Sequence, residues 1–344
     1  MGVRQGGVLS PKLFSVYVED IIEEVNKAKG GVKLISQRLN ILMYADDIIV
    51  MATKKRELQE QLDLIGDFGL VNGIKFNPAK CELLVFNKDY KRSMFETLQD
   101  DWQEEVKLNG AVIPEVIQFR YLGIIFNEKM NNEAHLEKRR LATFAMINRI
   151  KKLGFDGGNM HPKLIGNMFK TYVRPVLMYG CETLDLNESE IEKIAKCEGT
   201  AIKRMMGLKK RCYTRHLLNA LNIGTSARFI KLMKLKFFLR IKDNRFTSVI
   251  VDEWFQINPK SNFKSWLNNE LSLTPDFHYD GSRVKVEEKC KCRVAAIDSH
   301  NGKNQKEDPV AKKLKLLFKV HDKVKMIRAV EELIHAKNAA KEII

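Results

Sequence analysis

Residues 39–52 read LNILMYADDIIVMA, and two adjacent acids, Asp46 and Asp47, interrupt a run of strand-forming apolar residues. Two carboxylates inside a strand destabilise a sheet through charge repulsion and desolvation. We therefore expect two short strands that fold back on each other around residues 45–47, with the acids at the tip. Such a tip is either a solvated turn, where Asp is common, or a metal site.

Apolar residues at helical spacing predict an amphipathic helix on each side of this hairpin. The first helix should begin near Pro11, and the second should end at Gly69 or Gly73. Their apolar stripes are Leu13, Tyr17, Ile21 and Val25 in the first helix and Leu58, Leu62 and Ile65 in the second.

Further strands are expected downstream. IKFN (residues 74–77) and CELLVF (81–86) have the composition of a strand pair, Asn109-Gly110 is a hairpin signal, and FRYLGIIF (119–126) predicts one more strand. Helices and antiparallel strands together indicate an α+β domain over residues 1–128.

The charge is distributed unevenly along the chain. Of the net charge of +16, residues 1–128 contribute 16 basic and 19 acidic residues, so residues 129–344 carry +19. Residues 191–245 hold 15 basic and 3 acidic residues, interleaved with apolar ones at helical spacing. We expect an all-helical basic region over residues 129–245 that contacts nucleic-acid phosphates, and a partly helical tail of unknown role over residues 246–344. A solvated basic surface is the alternative.

The composition also bears on location and on metals. A membrane-spanning stretch of about 20 apolar residues and a signal peptide are both missing from the sequence, so we expect no membrane partner and an intracellular protein of the cytoplasm or nucleus. The six scattered cysteines fit a reducing compartment. Cys290, Cys292 and His300 offer three ligands where structural zinc normally takes four, so zinc is not favoured.

The order of the motifs resembles that of reverse transcriptases from non-LTR retrotransposons. The similar segments are GVRQGGVLSP (residues 2–11), YADD (44–47), GIKFNPAKCELLVF (73–86), RYLGIIF (120–126) and, more loosely, YVRPVLMYGCETL (172–184) and residues 218–241. The resemblance implies part of a right-hand polymerase palm, an antiparallel sheet with helices, followed by a thumb-like helical region. The implied partners are an RNA template, a DNA primer, their RNA–DNA hybrid and a dNTP.

The resemblance also assigns roles to residues of the catalytic hairpin. Asp46 would be the principal ligand of Mg²⁺ in a two-metal site, and Asp47 would add negative potential beside it. Tyr44 would pack near the primer end. Lys80 would neutralise or protonate the leaving pyrophosphate, although a plain surface lysine is the alternative.

Other roles concern the nucleic acid. Gln5, Gly6 and Gly7 would lie against the template or the incoming nucleotide. The primer grip would be Tyr121, Leu122 and Gly123, with core packing as the alternative for the first two. Phosphate-backbone contacts are expected at Lys234, Lys236 and Arg240.

The family carries a further metal-binding carboxylate upstream of the RQG loop, and this chain begins on that loop. We therefore expect a truncated, incomplete two-metal site that is inactive by itself, and no endonuclease. Two other hypotheses stay open: a nucleic-acid-binding remnant without catalysis, and a decayed open reading frame without a selected role.

Overall fold

A computed structural model describes residues 6–28, 30–86, 105–155, 160–209, 212–272 and 283–299. The chain divides into two compact units. The first comprises residues 1–131 and 249–259, and the second comprises residues 132–248 and 260–344. Within the described residues the architecture is mostly helical with small antiparallel sheets, which agrees with the predicted α+β class.

The described part of residues 1–131 contains three α-helices and four β-hairpins. The strands pair two by two in chain order, and each antiparallel pair is a separate two-stranded sheet. The helices are α1 (Ser10–Val18), α2 (Asp20–Lys27) and α3 (Lys55–Asn72). The strands are β1 (Val32–Lys33), β2 (Arg38–Leu39), β3 (Ile41–Tyr44), β4 (Asp47–Val50), β5 (Lys107–Leu108), β6 (Ala111–Val112), β7 (Gln118–Tyr121) and β8 (Ile124–Asn127).

Local sequence explains most of these boundaries. Pro11 lies in the first turn of α1, and α3 ends at Gly73, whose φ of 65° is a left-handed helix cap. Asn109 and Gly110 have φ of 51° and 78°, which a tight two-residue hairpin turn requires. The turn between β5 and β6 is thus the predicted one.

Three expectations differ from the structure. The first predicted helix is broken at Glu19 into α1 and α2, so that Ile21 is buried while Leu13 is 57% exposed. Residues 74–77 and 81–86 do not pair, because Pro78 opens a 3₁₀ turn (Pro78–Lys80) between them. The single strand predicted at residues 119–126 is a hairpin, β7–β8.

The core of the first unit lies between the helices and the hairpins. Its buried side chains come from α2, α3, β3, β5 and the adjoining segments, and they are Ile21, Val25, Ile41, Leu62, Ile65, Phe68, Val106, Leu108 and Ile113. Because β3 contributes to this core, the hairpin that carries the acid pair is anchored at the end opposite its tip.

The second unit is helical over its described residues. Its elements are α4 (Glu133–Lys152), α5 (Pro162–Met168), a π-helical turn (Phe169–Val173), α6 (Arg174–Met178), α7 (Glu188–Met206), α8 (Thr214–Ala220), α9 (Ser226–Asp243), α11 (Asn262–Ser272) and α12 (Arg283–Ser299). Helix α10 (Arg245–Ile257) enters the first unit at residue 249. None of the described helices is long and apolar enough to cross a membrane.

The boundaries of α7 follow from its sequence. Asn187 and Glu190 form a capping box at its N-terminus, and Gly207 ends it with a φ of 72°. Its apolar face, including Ala201 and Ile202, packs with Ile147 of α4 and Phe169 in the largest buried cluster of this unit.

Candidate functional site

The predicted acid pair lies at the tip of the β3–β4 hairpin. Tyr44 pairs with Asp47, so the turn consists of Ala45 and Asp46 alone. Ala45 has a φ of 55°, a backbone conformation that a two-residue turn demands and that costs an alanine energy. Both acids are exposed, and Tyr44 is 64% exposed. The two acids are not equivalent, because Asp46 belongs to the turn and Asp47 begins β4.

A second hairpin lies close to this tip. Burial raises the pKa of the Tyr121 phenol, and the negative charge of Asp47 raises it further. Leu122 and Gly123 form the turn of this hairpin, with φ of 45° and 83°. The structure therefore brings Asp47 and Tyr121, two residues from separate sequence motifs, into one electrostatic environment.

The other predicted residues of the first unit lie on exposed or partly exposed backbone. Gly6 has a φ of 82° and open space where a Cβ would stand, and the carbonyl of Gly7 accepts a hydrogen bond from Ser10 at 3.2 Å. Gln5 lies outside the described residues. Lys80 is exposed at the end of the 3₁₀ turn, and among the described residues it forms no ion pair with Asp46.

The described residues include no group of three or more His, Cys, Asp or Glu side chains that could hold a metal ion. Asp46 and Asp47 supply carboxylate oxygens, which suit Mg²⁺, but they supply only part of a ligand set. Of the residues considered and not favoured as zinc ligands, Cys290 is buried and Cys292 is exposed on α12, so their thiols lie on different sides of the helix. His300 lies outside the described residues.

The three basic residues predicted on α9 do not share one exposed face. Lys234 is only 6% exposed, and its Nζ lies 5.5 Å from the centre of the Trp266 ring. Burial lowers the pKa of Lys234, although the negative charge of Asp185 acts to raise it. Lys236 and Arg240 are exposed, and Lys236 lies 3.2 Å from Asp298. The prediction of an exposed charge is therefore wrong at Lys234, because packing against α11 covers its side chain.

One contact was not indicated by the sequence at all. The carboxylate of Glu253 on α10 accepts a hydrogen bond from the backbone N–H of Ser36 at 3.2 Å, across a separation of 217 residues. Neither residue belongs to a recognisable motif. The only sequence signal that could have drawn attention to this loop is the pair of basic residues flanking it, Lys33 and Arg38.

The first unit is similar to a known protein family. Residues 1–126 match the family model described as reverse transcriptase (RNA-dependent DNA polymerase). Residues 1–126 therefore match a reverse transcriptase domain of the non-LTR retrotransposon type, as the motifs predicted.

Three relatives illustrate the similarity. The RNA-directed DNA polymerase from mobile element jockey of Drosophila melanogaster is 24% identical over 234 residues, which are 64% of this chain and 24% of that protein. The Pol polyprotein of the R2DM retrotransposable element of the same species is 34% identical over 128 residues, 36% of this chain and 12% of that protein. A transposon-derived protein of Caenorhabditis elegans is 26% identical over 232 residues, 63% of this chain and 77% of its own length. The chain thus spans about a quarter of the jockey polymerase.

Proposed function

We propose that this chain takes part in RNA-templated DNA synthesis, with the β3–β4 hairpin supplying carboxylates for nucleotidyl transfer. The observation that carries the proposal is the exposed acid pair on a two-residue turn, next to a second hairpin that bears Tyr121. The reverse transcriptase match over residues 1–126 supports the same reaction class.

Magnesium fits the chemistry of this tip. Mg²⁺ is held by one or two carboxylates together with substrate phosphates and waters, so Asp46, with the charge of Asp47 beside it, can supply the protein's share of the ligands of one ion. When bound, divalent ions stabilise the attacking and leaving oxygens of a phosphoryl transfer. Asp46 is the proposed ligand because it belongs to the turn, and Asp47 adds negative potential while facing Tyr121.

The remaining roles in this unit are proposed from position. Tyr44 and Tyr121 would contact the primer end on the two sides of Asp47. The backbone at Gly6 has open space in which a nucleotide could approach. Lys80, exposed on its 3₁₀ turn, would meet the triphosphate.

The second unit is proposed to hold the nucleic acid through its phosphates. Residues 191–245 have a net charge of +12, from 15 basic and 3 acidic residues. Lys236 and Arg240 are four residues apart on the exposed side of α9, which places their charges on one face. Lys234 is not part of this interface because it is buried.

Iron-mediated cleavage tests the metal site without requiring turnover. Fe²⁺ replaces Mg²⁺ and, with ascorbate and peroxide, cuts the backbone nearest to the ion. We expect cuts around residues 44–47 in the presence of a primed RNA template and a dNTP. Asp46→Ala should abolish them, and Asp67→Ala, an exposed acid on α3, should not. Cleavage elsewhere, or cleavage that survives Asp46→Ala, would contradict the proposal.

The net charge of residues 191–245 favours a second candidate, a nucleic-acid-binding protein without catalysis. It predicts binding of an RNA–DNA hybrid with no localised iron cleavage at the hairpin. Primer extension in Mg²⁺ that is lost on Asp46→Ala would exclude it.

A further inference from the structure

The loop between β1 and β2 is a short turn with basic flanks. Its residues are 34–37, and the N–H of Leu34 donates to the carbonyl of Gln37 at 2.8 Å. Lys33 and Arg38, immediately outside the loop, are paired in register across the two strands. Like charges that face each other across an antiparallel strand pair destabilise the pair. An anion bound at the loop would reduce this repulsion between Lys33 and Arg38.

An anion is in fact present at this loop. The two carboxylate oxygens of Glu253 accept from Ser36: Oε2 from the backbone N–H at 3.2 Å and Oε1 from the hydroxyl. These bonds lower the pKa of Glu253, and the backbone N–H groups of Ser36, Ile35 and Gln37 contribute to the decrease. Glu253 is 7% exposed. One carboxylate is thus held by the backbone N–H and the hydroxyl of Ser36, at the centre of the loop.

This donor set is not specific for a carboxylate. Successive backbone N–H groups in a turn can form a concavity that binds anions, and many phosphate sites are of this kind. A hydroxyl and two flanking cations add to the same preference. Arg38 also donates to the carbonyl of Gly30 at 3.4 Å, which holds the base of the hairpin next to the loop.

We propose that residues 33–38 form a phosphate-binding loop and that Glu253 closes it as an internal competitor. Glu253 stands where a phosphate oxygen pair would be bound. Because its carboxylate is tethered to the same chain, a free phosphate must displace it, and the loop binds weakly until the carboxylate leaves. The loop and residues 249–259 belong to the same compact unit, so this closure is internal to that unit.

The first test compares the whole chain with its Glu253→Ala and Glu253→Gln variants. The protein is labelled with ¹⁵N-isoleucine and ¹⁵N-serine, and the amide signals of Ile35 and Ser36 are followed during titration with inorganic phosphate. Both variants remove the charge of the competitor, and Glu253→Gln keeps the size of the side chain, so folding is preserved in at least one of them. We expect saturable shifts with an apparent Kd at least about tenfold lower in the variants than in the original chain.

Control titrations decide what the signal means. Sodium chloride at equal ionic strength should not reproduce the shifts, and Ser36→Ala combined with Glu253→Gln should weaken phosphate binding. Equal responses of the original chain and both variants, or shifts that chloride reproduces, would overturn the proposal.

Two further arms identify the source of the phosphate. A deoxynucleoside triphosphate and a short single-stranded oligonucleotide are titrated into Glu253→Gln. Saturation by the triphosphate alone assigns the loop to a nucleotide, and saturation by the oligonucleotide assigns it to the nucleic-acid backbone. Failure of both in a variant that binds inorganic phosphate would overturn a role in binding substrates. None of these outcomes depends on polymerase activity.

Discussion

Tyr44 and Asp47 face each other across the β3–β4 hairpin, and Asp46 lies beyond them in the turn. This register gives the two acids different positions: Asp47 begins β4, where its charge acts on Tyr121, and Asp46 lies in the exposed turn.

In any preparation that extends a primed RNA template, we expect Asp46→Ala to abolish extension, because it removes the proposed ligand of the metal. Lys80→Ala should slow the chemical step by about 10² or more through loss of charge or proton assistance to the leaving group. Single-turnover rates in Mg²⁺ measure both effects. Asp67→Ala is the control, and full activity of Asp46→Ala would contradict the assignment.

The proximity of Asp47 and Tyr121 can be tested by titration. The negative charge of Asp47 disfavours the phenolate, so Asp47→Asn should lower the pKa of Tyr121 toward its ordinary value of about 10. The ¹³Cζ signal of Tyr121, assigned with Tyr121→Phe, reports the titration. Asp67→Asn, the control, should leave the pKa of Tyr121 unchanged. An unchanged pKa in Asp47→Asn would mean that the hairpins are not neighbours.

A buried ion pair lies in the second unit. Arg174 Nε lies 2.9 Å from Glu198 Oε1, both side chains are almost fully buried, and Ser226 donates to the other carboxylate oxygen at 2.5 Å. Burial raises the pKa of Glu198 despite the neighbouring guanidinium, which shows how costly the desolvation is.

Removal of one partner leaves a buried charge uncompensated. We expect Glu198→Ala to lower the free energy of unfolding by about 3–5 kcal/mol in urea. Glu192→Ala is the matched control, since Glu192 forms an exposed pair with Lys196 on the same helix and should cost at most about 1 kcal/mol. Similar decreases in the free energy of unfolding in both variants would show that loss of the buried pair costs no more than loss of the exposed pair.

Nucleic-acid binding by the whole chain should depend strongly on salt. Engagement of about five phosphates gives a log–log slope of about −3.5 to −4.5 between roughly 50 and 200 mM salt. Fluorescence anisotropy with RNA, DNA and hybrid duplexes of unrelated sequence measures it. Affinity that is independent of salt would remove the proposal.

Charge reversal at Lys236 and Arg240 should weaken every duplex similarly, because phosphate contacts carry no sequence information. Lys234→Gln should leave the slope unchanged, since its ammonium is covered. A loss confined to one sequence would indicate base recognition instead.

The stability of the second unit should decrease on acidification through His135. Burial lowers the pKa of His135. The hydrogen bond from its Nε2 to the carbonyl of Tyr179, at 2.9 Å, raises this pKa but has the smaller effect. Lys138 and Arg139 lower it further, and Glu182 opposes them. As pH falls below about 6.5, His135 is protonated in the unfolded state but stays neutral in the folded state. The free energy of unfolding therefore decreases until the pH reaches the lower pKa of His135 in the folded state.

Urea unfolding at pH 7.5 and at progressively lower pH should show this loss, and His135→Gln should reduce it. His216→Gln, on α8, serves as the control. A pH dependence that is unchanged in His135→Gln would assign the effect to other groups.

Local sequence signals predict the hairpins better than they predict the tertiary contacts. Asn109-Gly110 and the acid pair each mark a turn by themselves, and both turns formed where expected. Leu122-Gly123 is a weak turn signal, because leucine seldom adopts a positive φ, and the sequence therefore predicts a single strand where the structure has a hairpin.

Long-range packing could not be predicted from the same patterns. Lys234 has the spacing of an exposed basic residue, but Trp266, 32 positions later, covers it. Glu253 and Ser36 are separated by most of the chain, and nothing in either segment indicates their contact. Periodicity identifies a helix and its apolar face, and it does not identify which neighbour covers a given polar side chain.

The described strands of the first unit form four separate hairpins, and this arrangement affects how the unit folds. Each pair of strands closes over a short loop, so its contacts are local, and an isolated hairpin can form within about 1–10 μs. We expect the docking of α2 and α3 against these hairpins to be the slower event, because an isolated hairpin is only marginally stable. Substitutions in the turns should therefore change the refolding rate, whereas substitutions in α10, whose contact with this unit is the most distant in sequence, should change mainly the unfolding rate.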